Sequence, residues 1–260
     1  MRTAGLILVL LVCGGAARAA EPFDPFRLAR IDARPGAAIP MDAPLRDETG
    51  RSVTLRALSH GRPLLLAPVQ HHCPNICGAT LEGLARAING QAARPGRDIE
   101  VVAFGIDPRE GPADAQASAQ RLGSALGGQP AHAVVGGPGD IAAVTGALGF
   151  RYAWDPRLGQ YAHIAAVAVL TPDGRLSAWL YGVQPSPQAL NAAVNAARRG
   201  EAGGLGEQLL LLCYHYAPVL GRYAPAALAA LKIAAGACVL ALAGFIALSL
   251  VRERQRSAAS

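Results

Sequence analysis

Between residues 37 and 200 the chain switches repeatedly between two spacings of apolar residues. Two short continuous apolar runs, Pro63-Leu64-Leu65-Leu66-Ala67-Pro68-Val69 and Ile99 to Ile106, predict strands covered on both faces. Leu81, Leu84, Ala85 and Ile88 recur at helical spacing, which predicts a helix from about Cys77 to Asn89. The alternation continues with a helix over Ala113 to Leu126, a strand over Ala131 to Val135 and a helix over Gly139 to Leu148. Hairpin patterns stand on either side. In the first, Leu45 to Asp47 turns through Glu48-Thr49-Gly50 into Ser52 to Leu55. In the second, Ile164 to Leu170 turns through Thr171-Pro172-Asp173-Gly174 into Arg175 to Gly182, before a last helix over Ser186 to Arg199. Strands alternating with helices predict an α/β sheet with crossover connections. No repeat with a period of about 20 to 50 residues interrupts it.

The two ends follow a different pattern. Residues 1–20 read as a secretory signal: Arg2 supplies the positive start, Leu6 to Val12 the apolar stretch and Ala17-Arg18-Ala19 the small-residue cleavage site. Cys13 is expected to leave with it, because Val12 stands where a lipoprotein signal wants a small residue. Near the other end, Ile233 to Val251 carries no charge over 19 residues, enough to cross a bilayer core of about 30 Å. We therefore expect a transmembrane helix over 231–251. Arg252, Arg254 and Arg256 follow it at once, which by the positive-inside rule leaves the tail, 252–260, in the cytoplasm. The bulk of the chain is then expected on the periplasmic face of a bacterial inner membrane.

Composition sharpens this. The chain of 260 residues is 52% hydrophobic and 16% charged, too apolar for a disordered chain. Its net charge of +6 suggests a nucleic-acid binder only until the charges are placed. Without the charged residues of the signal, anchor and tail, 18 basic and 17 acidic residues remain, so the central domain is nearly neutral. With no basic stripe, no nucleic-acid partner is expected.

Four cysteines remain after signal removal, and Cys238 lies inside the expected membrane helix. Cys73 and Cys77 stand in His71-His72-Cys73-Pro74-Asn75-Ile76-Cys77-Gly78, between an apolar strand and the start of a helix. Helix N-termini favour thiolates, and ligands of open α/β sheets gather at the carboxyl ends of strands. A disulfide staple is the weaker reading, because a loop this short restricts little chain entropy. Redox and metal chemistry both remain open for the pair. Two thiolates are soft ligands suited to Cu(I), and a stable three-coordinate site needs one more donor. His163, just before a strand, is a candidate, as are His71 and His72, which are otherwise expected to be exposed at a strand end. Gln70 and Pro74 occupy the positions three before each cysteine where a peroxiredoxin has Thr or Ser. A thioredoxin-type oxidoreductase has two residues between its cysteines, not three, and usually a cis-proline near the His163 position.

Taken together, Cys73-Pro74-Asn75-Ile76-Cys77, Gly105-Ile106-Asp107-Pro108, Gly149-Phe150-Arg151-Tyr152, and His163 ahead of Val169-Leu170-Thr171-Pro172-Asp173-Gly174 resemble the SCO/SenC family over roughly residues 22–225. The resemblance implies a thioredoxin-like (SCO/peroxiredoxin-type) α/β domain with a C-terminal transmembrane helix. It also implies copper as the metal, Cys73, Cys77 and His163 as its ligands, and cytochrome c oxidase subunit II as the acceptor. The organisation expected is a signal peptide at 1–20, an extension at 21–36, the copper-binding domain at 37–200, a linker and juxtamembrane segment at 201–230, then the anchor and tail. A thiol-disulfide reductase that keeps the acceptor's cysteines reduced is the alternative function. Three positions depart from the family pattern: Ala162 replaces an acidic residue before the histidine, Arg109-Glu110-Gly111-Pro112 replaces the usual Asp-Thr-Pro, and Gly78 replaces a proline. Cys213 and His215, in Cys213-Tyr214-His215-Tyr216, offer either an interfacial aromatic belt or a second soft-metal site.

Overall fold

The computed structural model describes residues 24–73 and 76–203, with the isolated positions 235, 236 and 244. The expected signal peptide, the juxtamembrane Cys213 and His215, the tail and nearly all of the expected anchor lie outside the described residues. Among those described, no helix is long and apolar enough to cross a membrane.

The elements run α1 (Pro25–Leu28), β1 (Arg30–Ile31), β2 (Leu45–Asp47), β3 (Ser52–Val53), α2 (Leu55–Ser59), β4 (Leu64–Val69), α3 (Ile76–Asn89), β5 (Glu100–Gly105), α4 (Pro112–Ala125), β6 (His132–Gly136), α5 (Pro138–Ala147), β7 (Phe150–Arg151), β8 (Ala153–Asp155), β9 (Gln160–Ala162), β10 (Ala166–Leu170), β11 (Leu176–Tyr181) and α6 (Pro187–Arg198). Seven strands form one mixed sheet in the order β11-β10-β4-β5-β6-β2-β3. The central trio β4, β5 and β6 is parallel, and both flanks are antiparallel. This is a mixed α/β, thioredoxin-like fold.

Every residue of β4 and β5 is buried, which is why these strands read as unbroken apolar runs. Alternate residues serve two cores. Leu65, Ala67 and Val69 join a cluster with Leu81, Leu84 and Ile88 of α3, Leu122 of α4, and Leu190 and Val194 of α6. Leu64 and Leu66 join another with Leu55 and Leu58 of α2, Ile141 and Val144 of α5, and Phe150. The sheet is thus the middle of three layers, and each leucine side chain fully buried there contributes about 1.5–3 kcal/mol.

One detail opens the site. Pro68 lies inside a central strand, where a missing amide normally costs a ladder bond. Pairing of β4 with β10 covers only Leu64 to Leu66. The carbonyls of Pro63 and Val69 accept bonds from Glu100 and Ile106 on the β5 side. By strand alternation the nitrogen of Pro68 faces the β10 side, beyond the last pair, so no bond is lost. The ladder with β10 ends there.

Two expectations change. The strand expected over Ser52 to Leu55 stops at Val53, because the Thr54 hydroxyl accepts the amide of Ala57 at 3.1 Å and starts α2, whose Leu55 is fully buried. Residues 150–162 carry β7, β8 and β9. Strands of two or three residues hold too few positions to show a period of two. β7 pairs with β1, Ile31 opposite Phe150, which joins the segment before residue 37 to the domain.

Candidate metal centre

Cys73 follows the end of β4, and Cys77 lies in the first turn of α3, only 3% exposed. No disulfide joins them. Pro74 and Asn75 lie outside the described residues. His163, one residue beyond β9, places its Nε2 at 3.3 Å from Cys77 Sγ across 86 positions of sequence. Its Nδ1 lies 3.1 Å from the carbonyl oxygen of Ile164, which can only accept. Nδ1 therefore carries the hydrogen, and Nε2 turns its lone pair toward Cys77 Sγ. The orienting role that an acidic neighbour could fill is taken here by a backbone carbonyl.

Burial disfavours the charged form of both donors. Burial, and then the bond with Cys73, pushes the Cys77 thiol well above its ordinary range. Burial likewise pulls the His163 imidazole down, only partly offset by the bond to Ile164. Two sulfurs and an imidazole match Cu(I) or Cu(II) better than hard cations. Among the described residues no three His, Cys, Asp or Glu side chains already stand at the spacing of a closed metal cage. An ion would enter by parting the Cys77–His163 contact, with loss of thiol protons.

The other two histidines separate. The side chain of His72 is 90% exposed, as expected for a strand end. His71 is buried: Nε2 donates to the Val134 carbonyl at 3.0 Å, and Nδ1, 2.9 Å from the Ser118 hydroxyl, accepts from it. Both ring nitrogens are engaged, so His71 is a structural residue linking β4 to α4 and β6.

Sequence reasoning missed the residues that hold these loops together. Glu110 Oε1 accepts the amide of His72 at 2.6 Å, anchoring the cysteine loop. Burial pushes the Glu110 carboxyl up, against the pull of the His72 and His71 amides. Gln70 donates to Asp107 Oδ2 at 3.3 Å, and its Oε1 accepts the amide of Tyr161 at 3.2 Å. The available signal was the polar run directly after an apolar strand, in which Asp107-Pro108 fits the family pattern and Arg109-Glu110 departs from it. Gly78, another departure, leaves room for Arg121, whose Nη1 would stand 2.9 Å from a Cβ at that position.

Residues 32–198 match the SCO1/SenC family. Among solved structures, a proposed electron transfer protein from Aquifex aeolicus VF5 is 27% identical, with a TM-score of 0.57 over 64% of this chain and 95% of that one. Arabidopsis thaliana ScoI with copper bound is 22% identical, with a TM-score of 0.50 over 63% and 98% of the two chains. BsSco, a member of the Sco family of cytochrome c oxidase assembly proteins in which a disulfide switch was identified, is 16% identical, with a TM-score of 0.50 over 65% and 97%. The last two share the fold. No curated protein matches the chain.

Proposed function

The chain belongs to the SCO1/SenC family, and from that premise we propose that it carries copper to the copper centre of cytochrome c oxidase, with subunit II as the acceptor. One ion is held by Cys73, Cys77 and His163 and passed on by ligand exchange: thiolates and imidazoles of the acceptor replace these donors one at a time. Copper is cargo, and no covalent bond of a substrate is broken. The observation that carries this reading is the approach of His163 Nε2, as a lone-pair donor, to 3.3 Å from Cys77 Sγ. The proposal includes a signal at 1–20, an anchor at 231–251 and a periplasmic domain, supported by the uncharged stretch Ile233 to Val251 and the arginines after it. The donor that loads the copper is left open.

A second reading, a thiol-disulfide reductase acting on the acceptor's cysteines, draws on the hydrogen bond between the two thiols. Burial of Cys77 disfavours the thiolate that exchange and copper ligation both use, so it does not separate the two readings.

The test is copper stoichiometry and the absorption spectrum of the full chain, purified reduced, beside Cys73→Ser and His163→Ala. One copper per chain, with thiolate-to-Cu(II) charge-transfer bands lost in both variants, is the expected result. Tight Cu(II) binding retained by His163→Ala overturns the three-ligand site. An absence of copper together with a readily cycled Cys73–Cys77 disulfide moves the reading to the reductase.

A further inference from the structure

Arg109 links the segments that carry the two cysteines and His163. Its Nε and Nη2 make a two-point pair with Asp107, at 2.8 Å to Oδ1 and 2.6 Å to Oδ2. Held in this way, the guanidinium lies over the Trp154 ring, 4.0 Å from its centroid, and 5.8 Å from that of Tyr161. Trp154 and Tyr161 face each other across the β8–β9 hairpin, centroids 5.2 Å apart, and His163 follows that hairpin by one residue. From Tyr161 the ring contacts run through Tyr152 at 5.3 Å to Phe150 at 6.0 Å, and from Phe150 to His163 at 6.0 Å. On the other side of Arg109, Asp107 accepts from Gln70, and Gln70 both receives the Tyr161 amide and stands three residues before Cys73.

The hairpin itself is small. Its strands have three residues each, and two-stranded hairpins are marginal without outside support. The contacts with Arg109 supply that support from the loop after β5.

We propose that Arg109 is a positioning residue for copper binding: clamped by Asp107 and stacked on Trp154, it fixes the hairpin so that His163 Nε2 meets the two thiols. This rests on the three-ligand reading of the site. The consequence differs between the two copper states. Two thiolates alone suffice for the soft, low-coordinate Cu(I), whereas Cu(II) depends on the imidazole as well. Releasing the hairpin therefore weakens Cu(II) far more than Cu(I).

The test uses the full chain in detergent, with Arg109→Ala, Arg109→Lys, Trp154→Ala, Trp154→Phe, the Arg109→Ala/Trp154→Ala double variant and His163→Ala. Cu(II) affinity is read by competition, and the imidazole nitrogen couplings by electron paramagnetic resonance. Arg109→Ala and Trp154→Ala are each expected to lose about 10- to 100-fold in Cu(II) affinity, the range for residues that orient a ligand, with weakened nitrogen couplings. The double variant should be no worse than the more affected single one, since both cut the same link. Trp154→Phe, which keeps a ring face, recovers most of the affinity, and Arg109→Lys, which lacks the planar fork, does not. Cu(I) affinity stays within about threefold in the Arg109 and Trp154 variants. In the metal-free chain, hydrogen exchange quickens over residues 153–163 in Arg109→Ala and is unchanged in β4 and β5. Equal losses of Cu(I) and Cu(II), additive single effects, or undisturbed nitrogen couplings overturn the positioning role while leaving the site intact. If His163→Ala keeps the parent spectrum and affinity, the three-ligand reading itself fails, and this inference with it.

Discussion

Asp47, at the end of β2, is 2% exposed and is surrounded by donors rather than by solvent. Burial pushes its carboxyl up, but the Thr49 hydroxyl at 2.6 Å, the amides of Arg51 and Thr49, and the Arg51 guanidinium hold it down at about 2, from an ordinary 3.8. A folded value below the unfolded one means that the stabilisation is complete above about pH 5 and lost as the pH falls through 4 towards 2, an effect of about 2 kcal/mol. Asp47→Asn is accordingly expected to lower the melting temperature at pH 7 and to converge with the parent near pH 2, measured by thermal unfolding across that range. A gap that stayed constant with pH would place the cost in packing instead of ionisation. Gly149 acts through geometry. Its φ is +70°, and a Cβ there would stand 2.0 Å from the carbonyl oxygen of Asp32, whose amide bonds back to Gly149. Gly149→Ala should therefore cost about 2 kcal/mol or more and loosen Phe150, which packs on His163, a change visible in thermal melts and in near-ultraviolet dichroism.

Among the elements, the long ones were legible in the sequence. β4, α3, β5, α4 and α6 fall within a residue or two of the expected bounds, because each holds enough apolar positions for its period to show. The Thr171-Pro172-Asp173-Gly174 turn was equally plain, with Gly174 at φ +82°. The small pieces around the site were not. β7, β8 and β9 together contribute eight residues, and their placement depends on long-range contacts such as Ile31 with Phe150 and the Tyr161 amide with Gln70. The cysteine pair could be located from its own neighbourhood, whereas assigning His163 to it relied on resemblance. Of the residues that hold the two loops, Arg109 and Glu110 stand in a polar run after β5 that does not show what they touch, and Gln70 gave no local pattern. Glu110 supplies an element-level prediction. Its carboxylate accepts the amide ahead of Cys73, so Glu110→Ala leaves that amide without its partner and should speed hydrogen exchange at residues 71–73 while α3 stays protected.

For the whole molecule, tethering would confine the domain close to a membrane-bound acceptor and raise the effective concentration of cargo. Removing residues 231–260 is expected to leave one copper per chain but to lower oxidase activity in membranes at limiting copper by at least about tenfold. Undiminished activity would argue against the anchor. The separation of Cys77 and His163 by 86 positions has a further consequence, in thermodynamic linkage. Cys73 and Cys77 are neighbours in any conformation of the chain, so an unfolded molecule can still grip Cu(I) between them. The imidazole joins them only in the native state. A ligand that binds both states stabilises the fold only by the difference between its two affinities. Copper thus acts as a thermal stabiliser of this chain mainly through His163. In His163→Ala the metal can remain bound while the rise in melting temperature on adding it largely disappears, so that occupancy and protection against heat become separate quantities.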